Sequence, residues 1–357
     1  MADTSRFARR RLLKAAVFQP QAGVAQAGVA QAGAARAGAG QATAGQSGPH
    51  RRPDGGRGAA ALAPNRLYRA VTGTIIDISP HVIALGDAVG ERRFALTADA
   101  TAWRGAPLDP SDLVPGHEAV LRLLPGRPGV ADRIWADIGR VTGIIVHADS
   151  DHLIVAEGTT RRQQTVAIPA QASGRIQVRF PNLHPGYLID LIGIRRRGYL
   201  EATRPATSQP PYRSDHVPAR EPAGGPSSDQ IAGSAIWHDP ADEPYGVLGV
   251  YYPAIDPAGG CAEDSAAGYP PGQAPGYREL PYLAVGSALT VRNECSGVWW
   301  TLPVTGCAPM ARLFSDHCVA CRRSPRGRVA DLTLASFVAL GGELHDGCFY
   351  TTLSIGR

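Results

Sequence analysis

The chain has 357 residues, with 36 Lys and Arg against 31 Asp and Glu and a formal charge of +5. That length exceeds one ordinary domain, so two or three folded units are expected. The first 66 residues hold ten cations against Asp3 and Asp54, which leaves the body at about −3. A near-neutral body without a basic groove argues against nucleic acid as a partner. No run reaches the roughly 18 consecutive apolar residues of a spanning helix, so no membrane span is expected.

Residues 1–66 read as a tail. A basic start is followed by the pentads QAGVA, QAGVA and QAGAA from Gln21, then by a Gly/Arg/Pro stretch. Such low-complexity sequence lacks the large apolar side chains needed to offset ordering, so disorder is expected. Its start, Arg9-Arg10-Arg11-Leu12-Leu13-Lys14, resembles a twin-arginine export motif with Leu12 where the pattern prefers Phe. The alternative is a plain basic tail.

From Leu67 to about Thr203, short alternating apolar runs are bounded by Gly, Pro and Asp, which is the pattern of an all-β segment. Val71-Thr72-Gly73 recurs as Val141-Thr142-Gly143, and Leu113-Val114-Pro115-Gly116 as Leu183-His184-Pro185-Gly186, both 70 residues on. Two anchors at one offset predict a tandem repeat. About five strands per copy predict two small closed barrels of the OB or SH3 kind, over 67–136 and 137–203. His147, His152 and His184 with Asp149 and Asp151 sit on turns at irregular spacing and read as solvated residues, so no metal and no cofactor is expected. Residues 204–230, with six prolines among Ser, Gly and charges, read as a semi-extended linker.

All six cysteines, Cys261, Cys295, Cys307, Cys318, Cys321 and Cys348, fall in the last 97 residues. An even count in a small β-rich segment reads as three disulfides, and hence as an extracytoplasmic domain. Cys318-x-x-Cys321 with His345-x-x-Cys348 offers zinc or redox chemistry as the alternative.

Within 231–357, Gly249-Val250-Tyr251-Tyr252 precedes Gly259-Gly260-Cys261, and Gly233-Ser234-Ala235-Ile236-Trp237 competes with it as the opening strand. Leu280-Pro281 leads to Val285–Asn293, Leu313–Cys321 ends on Asp316 and the Cys-x-x-Cys turn, and Asp331-Leu332-Thr333 precedes an apolar run closed by Gly341-Gly342. Asp331 and Thr333 are N-cap-type residues for a helix over Leu334–Leu340. Together these segments resemble the rare lipoprotein A, expansin and barwin type. The resemblance implies a six-stranded double-psi β-barrel with a short helix, secreted or wall-associated, that works on cell-wall polysaccharide such as peptidoglycan.

Carried over residue by residue, the resemblance points to Asp316 and Asp331 as catalytic candidates. Cleaving a glycosidic bond needs a carboxylic acid of raised pKa, and Asp316 is the expected acid/base of a lytic transglycosylase. The chain departs from the enzymes of the family at Tyr277, near the place where they carry a His. The same frame in expansins and barwins binds or loosens walls, so a glycan-binding barrel is the other reading. Tyr251, Tyr252, Trp299 and Trp300 are the sugar-stacking candidates, with strand alternation sending one Trp inward and one outward. A third reading is a protein-interaction or inhibitor module whose tandem repeats bind the partner.

Overall fold

A computed structural model describes residues 67–157, 162–209, 213–214, 230–239, 246–255, 280–318, 321 and 324–355. The N-terminal tail with its export-like motif, Cys261, Tyr277 and most of the proline-rich stretch lie outside them. The described residues form an all-β fold of three closed barrels with two helices.

The first barrel contains β1 (Arg69–Ile78), β2 (Val82–Asp87), β3 (Gly90–Trp103), β4 (Pro107–Leu108), β5 (Glu118–Leu123) and β6 (Val130–Ala136). Five of these close a ring in the order β1-β2-β3-β6-β5, with β3–β6 parallel and β4 hanging on the end of β3. The second barrel contains β7 (Ile138–Ala148), β8 (His152–Glu157), β9 (Arg162–Ala167), β10 (Leu188–Arg196) and β11 (Tyr199–Pro205). Its ring β7-β8-β9-β11-β10 repeats the first, including the parallel pair β9–β11. Helix α1 (Ala170–Arg179), which the alternating pattern does not announce, fills the connection that β4 and a short 3-10 turn occupy in the first copy.

The two sequence anchors mark the points where the repeat is most constrained. Gly73 pairs with Ala119 and Gly143 with Ile189, and a register shift follows in each strand, at Ile75/Asp77 and Ile145/His147. A Cβ on Gly73 would lie 2.8 Å from the Gly86 carbonyl oxygen, and one on Gly143 2.1 Å from that of Ala156. Gly116 and Gly186 turn the chain at φ +96° and +91°, where side chains are strained, and donate their N–H to Ile75 and Ile145, each at 2.8 Å.

The third barrel contains β12 (Gln230–Trp237), β13 (Val250–Tyr252), β14 (Ala288–Asn293), β15 (Trp299–Cys307), β16 (Ser315–Asp316), β17 (Arg326–Leu332) and β18 (Cys348–Ile355). Six of them close in the order β12-β18-β14-β15-β13-β17, with β12–β17 and β13–β15 parallel, and β16 pairs outside the ring. Both segments that compete as the opening are strands of this ring. Thr333 caps helix α2 (Leu334–Ala339), its hydroxyl accepting from the Ser336 N–H at 3.3 Å.

Equivalent positions of the two repeats face the third barrel, with different chemistry. Ala70 and Val120 of the first copy pack on the third barrel's core, and their counterparts 70 residues on are Arg140 and Asp190. Arg122 of the first copy reaches Glu343 at 2.6 Å, while its counterpart Ile192 lies in that same core. Trp103 and Trp135 complete the first contact: Trp135 Nε1 donates to His345 Nδ1 at 3.0 Å, and the Trp103 ring stacks on that imidazole. The expected linker is corrected at its start. Thr207 and Gln209 are buried, and Ser208 bridges to His317, because these residues sit in the seam between the second and third barrels.

Candidate functional site

Arg140, Asp190, Arg328 and Asp316 form a chain of four buried charges across that seam. Arg140 makes a two-pronged contact with Asp190 at 2.9 and 2.7 Å, and its guanidinium also donates to the Gly347 carbonyl. Arg328 Nη2 donates to Asp190 at 2.7 Å and to Asp316 at 2.8 Å, while its Nε donates to Asp316 at 2.9 Å. Thr207 closes the Asp190 end at 3.1 Å, and Gln209 and Ser234, both at 2.7 Å, close the Asp316 end. Every charge is paired and hydrogen-bonded, the condition under which ions are tolerated inside a protein.

This geometry overturns Asp316 as the acid. Its side chain is 0% exposed, and both carboxylate oxygens are occupied by Gln209, Ser234 and Arg328. Burial pushes its pKa up, but the Arg328 charge and the hydrogen bonds from Arg328, Ser234 and Gln209 outweigh it and hold the carboxyl below its ordinary value. A carboxylate so held is a poor proton donor and touches no solvent.

Asp331 lies on the neighbouring strand, β17, in the opposite situation. Its neighbours Ala330 and Leu332 face the barrel core, so the pleat turns Asp331 outward, beside Tyr251 of β13 and Ile236 of β12. The residue keeps part of its surface exposed, yet its Oδ1 is buried and accepts no hydrogen bond. Burial raises its pKa and Asp316 adds to the rise, against the pull of Arg328, His238 and Arg140. Thr333 caps the helix, so Asp331 has no capping role.

His238 lies just past the end of the neighbouring strand, β12. Trp237 anchors the strand end, buried in the core with its Nε1 donating to the Leu344 carbonyl at 2.9 Å. The next residue, His238, donates its backbone N–H to Leu332 at 2.8 Å and is exposed, its ring 5.4 Å from that of Tyr251 at 50°. Asp331, His238 and Tyr251 thus come from three adjacent strands onto one accessible face. Neither a protein-family model nor a curated protein matches the chain. Residue geometry is therefore the ground for any functional reading.

The remaining candidates divide. Tyr252 is corrected: it is fully buried in the core and offers no face to a sugar, whereas its neighbour Tyr251 is half-buried on the outside. Trp299 and Trp300 are both half-buried, with Trp300 packed against the core and Trp299 opposite Arg292. The most exposed aromatic among the described residues is Tyr282, which the strand pattern did not single out. Cys295 bonds Cys321 and Cys318 bonds Cys348, so the Cys-x-x-Cys pair is split between two disulfides. Cys307 is disulfide-bonded as well.

Sequence reasoning missed Arg140, Asp190 and His238. The first two carry a signal in retrospect: they are charges in β-strands where the other copy of the repeat has Ala70 and Val120. His238 carries none, since a lone His after a Trp reads as a surface residue. Glu157, at the end of β8, is a further perturbed group: burial and the charge of Asp239 push it up to about 8, Asp190 adds to the rise, and the Thr142 N–H and Arg162 oppose it.

Proposed function

We propose that this is an extracytoplasmic protein that binds and remodels cell-wall glycan through its C-terminal barrel, with Asp331 as the acid/base of a lytic transglycosylase. The observation that carries the reading is the Asp331 carboxyl: partly accessible, with one buried, unpartnered oxygen and a raised pKa. A protonated carboxyl is what the leaving oxygen of a glycosidic bond requires. Asp331 gives its proton to that oxygen as the bond to the anomeric carbon breaks. The sugar's own hydroxyl then bonds to that carbon and returns its proton to Asp331, so one carboxyl suffices and no water is consumed. Tyr251 is the stacking wall beside it.

Two further features support the reading. The disulfides fit an oxidising compartment. The closed six-stranded ring with two parallel pairs fits the barrel that the sequence resemblance implies. The test is incubation of the full chain with peptidoglycan, followed by analysis for soluble muropeptides with anhydro ends. Release that disappears in Asp331→Asn supports the enzyme. Sedimentation with the polymer and no release by either form favours the second reading, a binding module resting on Tyr251 and Trp299.

A further inference from the structure

One turn between helix α2 and β18, Glu343 to Gly347, touches all three barrels. It is closed on itself: the N–H groups of Asp346 and Gly347 donate to the Glu343 carbonyl at 2.9 and 3.3 Å. Glu343 reaches two arginines of the first barrel, Arg122 at 2.6 Å and Arg133 at 3.5 Å. Leu344 lies in the third barrel's core, and its carbonyl accepts from Trp237 Nε1 at 2.9 Å. Asp346 faces Arg204 of the second barrel at 3.8 Å, and the Gly347 carbonyl accepts from Arg140. At the centre of the turn, His345 is gripped by two buried tryptophans of the first barrel. Trp135 Nε1 donates to its Nδ1 at 3.0 Å, and the Trp103 ring lies stacked on it at 6.3 Å and 17°.

An indole N–H can only donate, so Nδ1 offers its lone pair and the proton of the neutral ring sits on Nε2. The side chain is 26% exposed, so protons from solvent reach it. A second proton has to go to Nδ1, where it meets the indole N–H donor against donor. We propose that His345 is a pH-sensitive latch between the first and third barrels: the neutral imidazole holds the Trp103 and Trp135 face, and the imidazolium releases it. The charged groups around it are Arg133 of β6, Arg204 of β11, and Glu343 and Asp346 of its own turn. Arg122 of β5 holds Glu343 and Asp132, and Arg104, next to Trp103, is paired with Asp137 at 2.9 Å. Burial holds the imidazole below its ordinary value of 6.5, and Arg204 and Arg133 add to the fall against the pull of Asp346 and Glu343. The contact is therefore at full strength above about 6.5 and is lost as pH falls through the lower, folded value. The network that joins the second barrel, Arg140, Asp190, Arg328 and Asp316, contains no imidazole, so acid loosens the first barrel selectively. None of this rests on the glycan reading.

The experiment is nitrogen-15 NMR of the histidine rings, with hydrogen exchange of the indole protons, in the full, disulfide-bonded chain as wild type and His345→Asn. Asparagine puts an amide oxygen near the place of Nδ1, so it can accept from Trp135 without titrating. At neutral pH His345 is expected as the Nε2–H tautomer, with a midpoint below 6.5. The Trp237 indole proton, bonded to the Leu344 carbonyl of the same turn, is the internal reference. Relative to it, protection of the Trp135 indole proton is expected to fall about ten-fold between about pH 7.5 and about pH 5 in wild type, and to stay constant in His345→Asn. An Nδ1–H tautomer, a midpoint at or above 6.5, unchanged protection in wild type, or an equal loss in both forms would overturn the proposal. If His345→Asn folds poorly, the tautomer, the midpoint and the wild-type exchange decide the matter.

Discussion

Asp316 and Asp331 stand 15 positions apart in sequence, on neighbouring strands of one barrel, and the structure gives them opposite lives. Asp316 is sealed behind four donated hydrogen bonds and a buried arginine. Asp331 is partly exposed and has a buried, unpartnered oxygen. Both are aspartates in motifs that a sequence reader assigns to the same job. What separates them is what the rest of the chain brings: Gln209, Ser234 and Arg328 donate to the carboxylate of Asp316, whereas Asp331 Oδ1 accepts no hydrogen bond. A carboxylate saturated by donors is structural, and one short of partners is available for chemistry.

The largest effect that would break this contrast is loss of the seam network. Arg328→Ala leaves Asp316 and Asp190 as buried carboxylates without their shared cation, a cost of about 3–5 kcal/mol, read as a fall in the denaturant midpoint of the full chain. A change below ~1 kcal/mol would mean the network is not closed as described. The same reasoning makes residues 231–357 alone a poor folding unit, because Asp190 and Gln209 are then missing. Cooperative unfolding of that fragment at the full chain's midpoint would contradict the account.

A smaller effect sharpens the contrast through pH. Glu157, raised to about 8 by burial and Asp239, binds a proton in the folded chain that the unfolded chain has released above about 4.5. Its contribution to stability is therefore complete below that lower value and is lost as pH rises toward 8. Glu157→Gln should flatten the fall in melting temperature between pH 5 and pH 8, and an unchanged slope would place the titrating group elsewhere. Thr333→Ala, which removes the cap that frees Asp331 from a structural role, should cost about 1 kcal/mol. A loss near zero would return the capping duty to another residue.

Much of this was readable in advance, for local reasons. The 70-residue repeat shows because Gly73 and Gly143 sit where a Cβ would strike a carbonyl, and Gly116 and Gly186 where φ is positive, so few other residues fit. The helix after Asp331 shows through its Thr cap and glycine stop. Helix α1 did not, since Ala170–Arg179 opens without a side-chain cap and carries Gly174 and a β-branched pair. The role of Asp316 was hidden for another reason. It is decided by Gln209 and Arg328, and through Arg328 by Asp190, whose pairings are long-range and leave no periodic trace. The prolines after 209 similarly conceal that Thr207 and Gln209 belong to a buried seam rather than to a free linker.

The most direct test sets the two aspartates side by side: the midpoint of unfolding for Asp316→Asn and Asp331→Asn in the full chain at neutral pH. The account predicts a loss of about 3 kcal/mol or more for Asp316→Asn, whose neutral amide leaves Arg328 short of a partner. It predicts no loss, and a small gain, for Asp331→Asn, because a carboxyl with a raised pKa subtracts from stability once it ionises. Equal losses in the two variants, or a larger one for Asp331→Asn, would contradict it.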